Sequence, residues 1–355
     1  MGAQHRLSDN AARALLARGQ RLTEPERSDG ASVPEVVRAV VGIQAQERGA
    51  GALGVRARLA GASLSDVVAA VDDGSIVRLW SLRGTLHYVA ADDARWLMDL
   101  LGPVALARAR KRLEGLGVDG EDAVRVVRDV LAAASEPLTR HEIADAARAR
   151  GFSFADDPQA PVHLVMRAVL AGEVVEVGWR GGKPVHALWE DGGRAPADRD
   201  VLLAELARRY VGAYAPAGPK DLATWSGLGV PEARRAFELI AREVEPVEVL
   251  DRTDSFRRPK DSAGERFLGV RLLGAWDNLL LCHRNRDLVV GPDIPATAVA
   301  NGGILRPTLA VDGQVKGIWR LARGKPAIEP FEPLAPDVAA AAEAEAADVV
   351  RFRSS

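Results

Sequence analysis

The chain has 355 residues, 47% of them apolar and 27% charged, with a formal net charge of −2, which is ordinary for a soluble globular protein of two or three domains or of one array of smaller modules. The charge balance argues against a uniformly basic nucleic-acid binder, but not against one with its cations gathered on one surface. No window approaches the roughly 18 apolar residues of a membrane helix, and the opening MGAQHRLSDNAARALLARGQ lacks the apolar stretch of a secretory signal. A cytoplasmic, nucleoid-associated protein is therefore expected.

The same order of elements recurs three times: helix, helix, short turn, helix, β-hairpin. In the first unit PEVVRAVVG has the helical period. SLSDVVAAVDDG follows, with Ser63 as N-cap and Asp66 completing a capping-box pattern. IVRLW and TLHYVA, separated by Ser81 to Gly84, read as a hairpin or wing. In the second unit EDAVRVVRDVLAAA is a helix, and LTRHEIADAARARG is another with Thr139 as N-cap and Glu142 three residues on. A third helix then leads to two strands around RGGK, whose glycines allow a tight reversal between Arg180 and Lys183. The third unit starts at RDVLLAELARRYVGAYAP. GPKDLATWSGLGVPEARRAFELI is the best helix-turn-helix candidate, with Gly227 to Gly229 as the turn and Pro231 in the next helix. VEPVEVL reads as a wing strand and RTDSFRRPKD as its basic tip.

After about residue 265 the pattern becomes strand-rich, with turns at NRD and VDGQ, and LLLCHR reads as a buried strand around the lone Cys282. PDVAAAAEAEAADVVRF is a final helix. The expected fold is α+β: three tandem winged helix-turn-helix units in residues 1–102, 103–195 and 196–262, an antiparallel β subdomain in 263–330, and a terminal helix in 331–355. EDGGRAPADR reads as a linker.

Winged helices set a recognition helix near the major groove and basic wing residues on phosphate. Arg83, Arg180, Lys183, Lys220, Arg257, Arg258, Lys260, Arg284 and Arg286 are the candidate DNA contacts. Templates for metal and nucleophile chemistry fail: there is no HExxH, GxSxG, P-loop or Cys/His cluster, so neither metal nor cofactor is expected. The pairs Asp92-Asp93 and Asp156-Asp157 read as helix caps. Gln44-Ala45-Gln46 remains. By spacing alone it reads first as surface polar residues at a helix end. If the chain extends there, both carboxamides fall on one face and their oxygens can accept the protons of one water. His87 has two readings: its strand neighbours Leu86 and Tyr88 pack inward and leave it facing the cleft as a DNA or active-site contact, or it makes a structural hydrogen bond.

VVGIQAQE, RGTLHYV, DLATWSGL, LLGAWDNLLLCHRNR and LAVDGQVKGIWR together resemble the AlkZ-like DNA glycosylase family. They run in order from about residue 35 to about 320. The resemblance implies that Gln44 and Gln46 form the catalytic pair, with Gln rather than Asp at the second position. It implies three winged helices in a C-shape around a basic channel. It also implies excision of bulky N-alkylated purines from double-stranded DNA, crosslinks included, for repair or for self-resistance to a genotoxic natural product. A monomeric, water-dependent, monofunctional glycosylase is expected. The alternative is a winged-helix transcription regulator without enzymatic activity.

Overall fold

The computed structural model describes residues 5–189, 197–250, 252–261, 269–301 and 304–355. Most of the expected linker EDGGRAPADR, and the boundaries expected at 195/196 and 262/263, lie outside them.

The chain opens with β1 (His5–Arg6), α1 (Asp9–Gly19) and α2 (Glu24–Arg27). The first helix-and-hairpin group holds α3 (Val33–Ala39), β2 (Ile43–Gln44), α4 (Arg48–Arg58), α5 (Leu64–Asp72), β3 (Ile76–Trp80) and β4 (Leu86–Ala90). Ser32 and Glu35 box the start of α3, and Ser63 with Asp66 does the same for α5. Positive φ at Val41 and Gly42 turns the chain out of α3 and into β2. A long helix, α6 (Ala91–Leu116), follows with Pro103 inside it. It runs through the boundary expected at 102/103, so no linker lies there.

The second group holds α7 (Glu121–Ala132), β5 (Leu138–Thr139), α8 (Arg140–Ala149), α9 (Ala160–Leu170), β6 (Val174–Arg180) and β7 (Lys183–Leu188). The Thr139–Glu142 capping box is present. The third holds α10 (Arg199–Tyr214), α11 (Pro219–Ser226), α12 (Val230–Leu239), β8 (Glu245–Val249) and β9 (Arg252–Arg257). RTDSFR is thus a strand and not the tip of a wing, because it pairs antiparallel with β8 from Arg257 back to Arg252.

The C-terminal part holds β10 (Val270–Leu273), the short helices α13 (Asn278–Leu281), α14 (Asp287–Val290) and α15 (Ala296–Val299), the strands β11 (Ala300–Asn301), β12 (Ile304–Leu305), β13 (Thr308–Val311), β14 (Gln314–Ala322) and β15 (Lys325–Pro330), and α16 (Pro336–Ser354). In place of the expected strand at LLLCHR, Leu279–Leu281 form the end of α13 and the chain bends beyond it from Cys282. Asp277 caps that helix by accepting from the Leu279 N–H, which draws the apolar run into a helical turn. Cys282 is buried there as expected.

The sheets make the architecture mixed and antiparallel. A six-stranded sheet in the order β2-β4-β3-β6-β7-β5 joins the first two groups, β10-β13-β14-β15 forms a second, and β1-β8-β9 a third. β1 pairs in parallel with β8, so His5–Arg6 lie beside the third group and not the first. One core cluster packs Ile43, Ala45 and Tyr88 with Leu272, Trp319 and Phe352, and so sets α16 and the C-terminal sheet behind β2. The larger cluster runs from α1 through α6 to α14. Tyr210, Tyr214 and Trp225 interlock within it, with ring centroids 4.9 to 5.1 Å apart.

Candidate active site

Beyond α3 the chain extends along β4, pairing Ile43 with Tyr88 and Gln44 with His87. The Ala45 N–H continues the ladder by donating to the Leu86 carbonyl at 2.8 Å. Ile43 and Ala45 face α4, and only glycine lets that helix come so close. A Cβ at Gly54 would meet Ile43 Cγ2 at 2.7 Å, and one at Gly51 would meet Ala45 Cβ at 2.8 Å. By the two-residue alternation of an extended chain, Gln44 and Gln46 share the opposite face.

Each carboxamide is oriented by its own donor. Gln44 Oε1 accepts from Arg83 Nη2 at 2.8 Å, and Gln46 Oε1 accepts from the Leu86 N–H at 3.2 Å. Each oxygen keeps a second lone pair for water. Gln44 is buried and Gln46 is exposed, so the pair spans the edge between core and solvent.

The backbone here is fixed from three sides. Asn278 Nδ2 donates to the Gly42 carbonyl at 2.8 Å and to the Tyr214 hydroxyl at 3.0 Å, while its Oδ1 accepts from the Gln44 N–H at 3.4 Å. Tyr214 donates to the Val40 carbonyl at 2.6 Å. Arg78 donates from Nε to the Ala45 carbonyl at 2.8 Å and from Nη2 to the Gln46 carbonyl at 3.3 Å. Beneath them Arg58 and Asp277, both fully buried, form a two-pronged ion pair at 2.8 Å per contact. Asn278, Tyr214 and Arg78 were not anticipated from sequence. The only sequence signal for Asn278 is its place in LLGAWDNLLL, because its partners lie 64 and more residues away.

Two expected contacts are placed differently. Arg83 is half-buried and spent internally: Nη1 donates to the Trp225 carbonyl and Nη2 to Gln44. Its φ of 58°, rare for a side-chain-bearing residue, turns it inward from the hairpin toward α11. It orients a carboxamide rather than meeting phosphate. His87 does share the Gln44 face, as its cross-strand partner, but it is only 1% exposed, with α6 packed on that hairpin. It faces no cleft; its Nδ1 donates to the Thr85 carbonyl at 2.9 Å. Burial, and then the nearby Arg83 charge, push its pKa down to about 3, so the ring is neutral at ordinary pH.

The remaining cations are spread over other elements. Arg180 and Lys183 flank the exposed β6–β7 turn, where Arg180 pairs with Glu142 and Glu136. Lys220 is exposed in the first turn of α11. Arg257 pairs with Glu245, Arg258 with Asp261 and Arg284 with Asp254. Arg286 donates to the Leu280 carbonyl at 2.9 Å. Of these candidate contacts, Lys183, Lys220 and Lys260 are exposed and form no ion pair among the described residues. No group of three or more His, Cys, Asp or Glu converges among those residues. Nor is any helix there long and apolar enough to cross a membrane.

A family model described as DNA glycosylase AlkZ-like matches residues 37–352. The chain belongs to the AlkZ-like DNA glycosylase family. It is accordingly an enzyme of the glycosylase class. An interstrand DNA cross-link repair glycosylase of Streptomyces sahachiroi is 26% identical over 351 residues, which cover 93% of this chain and 91% of that protein. The solved structure of the Streptomyces sahachiroi DNA glycosylase AlkZ matches with a TM-score of 0.82 at 24% identity, over 98% of this chain and 97% of that one. At that identity the structural likeness bears on the fold. In this AlkZ-like chain two amides, the half-buried Arg83 guanidinium and the neutral His87 imidazole gather around Gln44 and Gln46.

Proposed function

We propose that this AlkZ-like protein hydrolyses the N-glycosidic bond of cationic N7-alkylguanines, bulky adducts and interstrand crosslinks among them, with the water held between Gln44 and Gln46. One observation carries the reading: the two carboxamides share one face of an extended strand, and each oxygen is pinned by a separate donor. A carboxamide is not basic near neutral pH, so it orients water and offers a dipole but does not take a proton. Such positioning suits a leaving group that already carries positive charge, because the C–N bond is weakened before the enzyme acts. A neutral purine would need a general acid, and the nearest imidazole, that of His87, is buried and uncharged.

The three helix-and-hairpin groups support the reading of tandem winged helix-turn-helix units, at 1–102, 103–195 and 196–262, followed by the β subdomain of 263–330 and the helix of 331–355. The exposed Lys183, Lys220 and Lys260 are the foremost phosphate contacts. A monomer on double-stranded DNA suffices for this chemistry. The relative's name, an interstrand cross-link repair glycosylase, supports a crosslink substrate, and with it a role in repair or self-resistance.

The test is single-turnover base release from duplex DNA carrying N7-methylguanine or a bulky N7-guanine adduct. Gln44→Ala and Gln46→Ala are expected to slow release by about 100-fold, the scale of a lost positioning group, with DNA affinity kept. Wild-type rates in both variants would sink the assignment.

A further inference from the structure

On one face of the six-stranded sheet a single row of cross-strand partners runs from β2 to β5: Ile43, Tyr88, Arg78, Glu176, His186 and Leu138. Partners in such a row point to the same side of the sheet. Its middle link joins the first group to the second. There Arg78 Nη1 and Glu176 Oε2 lie 2.7 Å apart with both side chains buried. The other nitrogens of that guanidinium hold the Ala45 and Gln46 carbonyls. Carboxylate, arginine and glutamine backbone therefore form one continuous chain. Glu176 Oε1 is buried without a well-formed hydrogen bond, the carboxylate being helped there only weakly by the Trp179 side chain and the Arg48 charge, so this contact carries an electrostatic cost. A buried ion pair is a poor device for stability, since apolar side chains of similar volume serve as well or better. A guanidinium fork anchored by a carboxylate is, by contrast, a good device for fixing geometry.

We propose that Glu176 and Arg78 are positioning residues for the glycosylase reaction: Glu176 fixes the Arg78 guanidinium, and Arg78 sets the backbone from which the Gln46 carboxamide reaches the water. The inference rests on the reading of Gln44 and Gln46 given above. Several groups surround Glu176. Arg78 faces it from β3 and His186 from β7, and Tyr88 lies one strand further on in β4. Arg48 of α4 stacks on Trp179 of its own strand, and Asp72 of α5 lies beside Gly178. Arg167 of α9 is committed to Glu121 and to the Asp119 carbonyl. Burial pushes the Glu176 carboxyl up to about 6, with the Arg78 charge pulling the other way. His186 is held down, at about 4, chiefly by burial, so it stays neutral while Glu176 takes its proton. Protonation of Glu176 removes the anion from one end of the chain, and the Arg78 fork loses its anchor.

The experiment is single-turnover release of N7-methylguanine at saturating full-length protein between about pH 5 and 8, with DNA affinity followed in parallel. Wild type is expected to slow as pH falls through about 6. Glu176→Gln, permanently neutral, is expected to be about tenfold slower at pH 7.5, roughly the effect of a misplaced group, with unchanged affinity and no inflection near 6. A Glu176→Gln protein with the wild-type rate, or with the wild-type pH profile, overturns the proposal. Arg78→Lys reads the same link should that variant not fold: lysine keeps the charge but not the fork, so release falls while binding holds, and unchanged release overturns the proposal. Gln46→Ala is run alongside. If it releases base at the wild-type rate, the underlying reading fails. If it is inactive while Glu176→Gln and Arg78→Lys match wild type, only the positioning proposal fails.

Discussion

The first and second hairpins come from the same local pattern and do different work. β3–β4 is an internal strut: all of β4 is buried, and its turn is tied by Arg83 to Trp225 in the third group. β6–β7 ends in an exposed turn, with Lys183 open to solvent. The difference teaches that a hairpin after a helix becomes an outward wing only where nothing packs on it. In the first group α6 and α11 lie against the turn, and β2 adds a strand on the free edge of β4. The buried hairpin thereby becomes the frame of the glutamine site, while the open one is left to meet a partner.

The largest expected effect comes from removing the tie that separates the two. Arg83→Ala leaves the Gln44 and Trp225 oxygens without their donor. Release should fall by about 10- to 100-fold, and stability by roughly 1–3 kcal/mol, the cost of orphaned polar groups. Base release and urea unfolding together check this. A variant that loses only DNA affinity would return Arg83 to the outward-wing role.

Acid unfolding gives the next. The folded pKa of His87 is depressed from 6.5 to about 3. The unfolded chain therefore takes the proton first, and stability is lost as pH falls below 6.5. By pH 5 the loss from this group is about 2 kcal/mol. Glu176 works the other way, since its raised pKa favours the folded state as pH falls from about 6 toward 4.5, by about 1 kcal/mol between pH 6 and 5. His87→Gln should flatten the decline measured by denaturant midpoints at pH 7 and 5. An unchanged decline would mean that His87 is not buried in solution.

The smallest effect falls on the open hairpin. Lys183→Ala should weaken binding only a few-fold and lower the salt slope by about one, leaving saturated release untouched. Arg180→Ala should do less, because its charge is already answered by Glu142 and Glu136. An effect on saturated release from either would erase the distinction between the hairpins.

Much of the local structure was legible because its causes are local. The boxes at Ser63–Asp66 and Thr139–Glu142 and the reversal at Gly181–Gly182 all depend on neighbours within a few residues. What escaped has causes far along the chain. The helix α4 hid behind three glycines and three arginines, RGAGALGVRAR, a composition with no clear apolar period. Gly51 and Gly54 admit Ala45 and Ile43, and Arg56 and Arg58 are fully buried on Glu345 and Asp277. Those partners lie 289 and 219 residues away. Arg83 was misplaced for the same reason, since its acceptor carbonyl is 142 residues distant. The glutamine pair itself was noticeable only through the family resemblance, which supplied what spacing could not.

Arg56 has a consequence for the order of events during synthesis. Its side chain is wholly buried and leans on two acids of α16, Glu345 at 2.6 Å and Asp348 at 2.7 Å. A chain growing from the ribosome makes α4 some 289 residues before that anchor exists. Until α16 emerges, the core behind β2 has an unanswered charge and an open wall, which holds it short of the native state. The glutamine strand is thus translated well before its anchor and is among the last parts to be set, and a chain cut short before α16 that still bound DNA would do so without releasing a base from it.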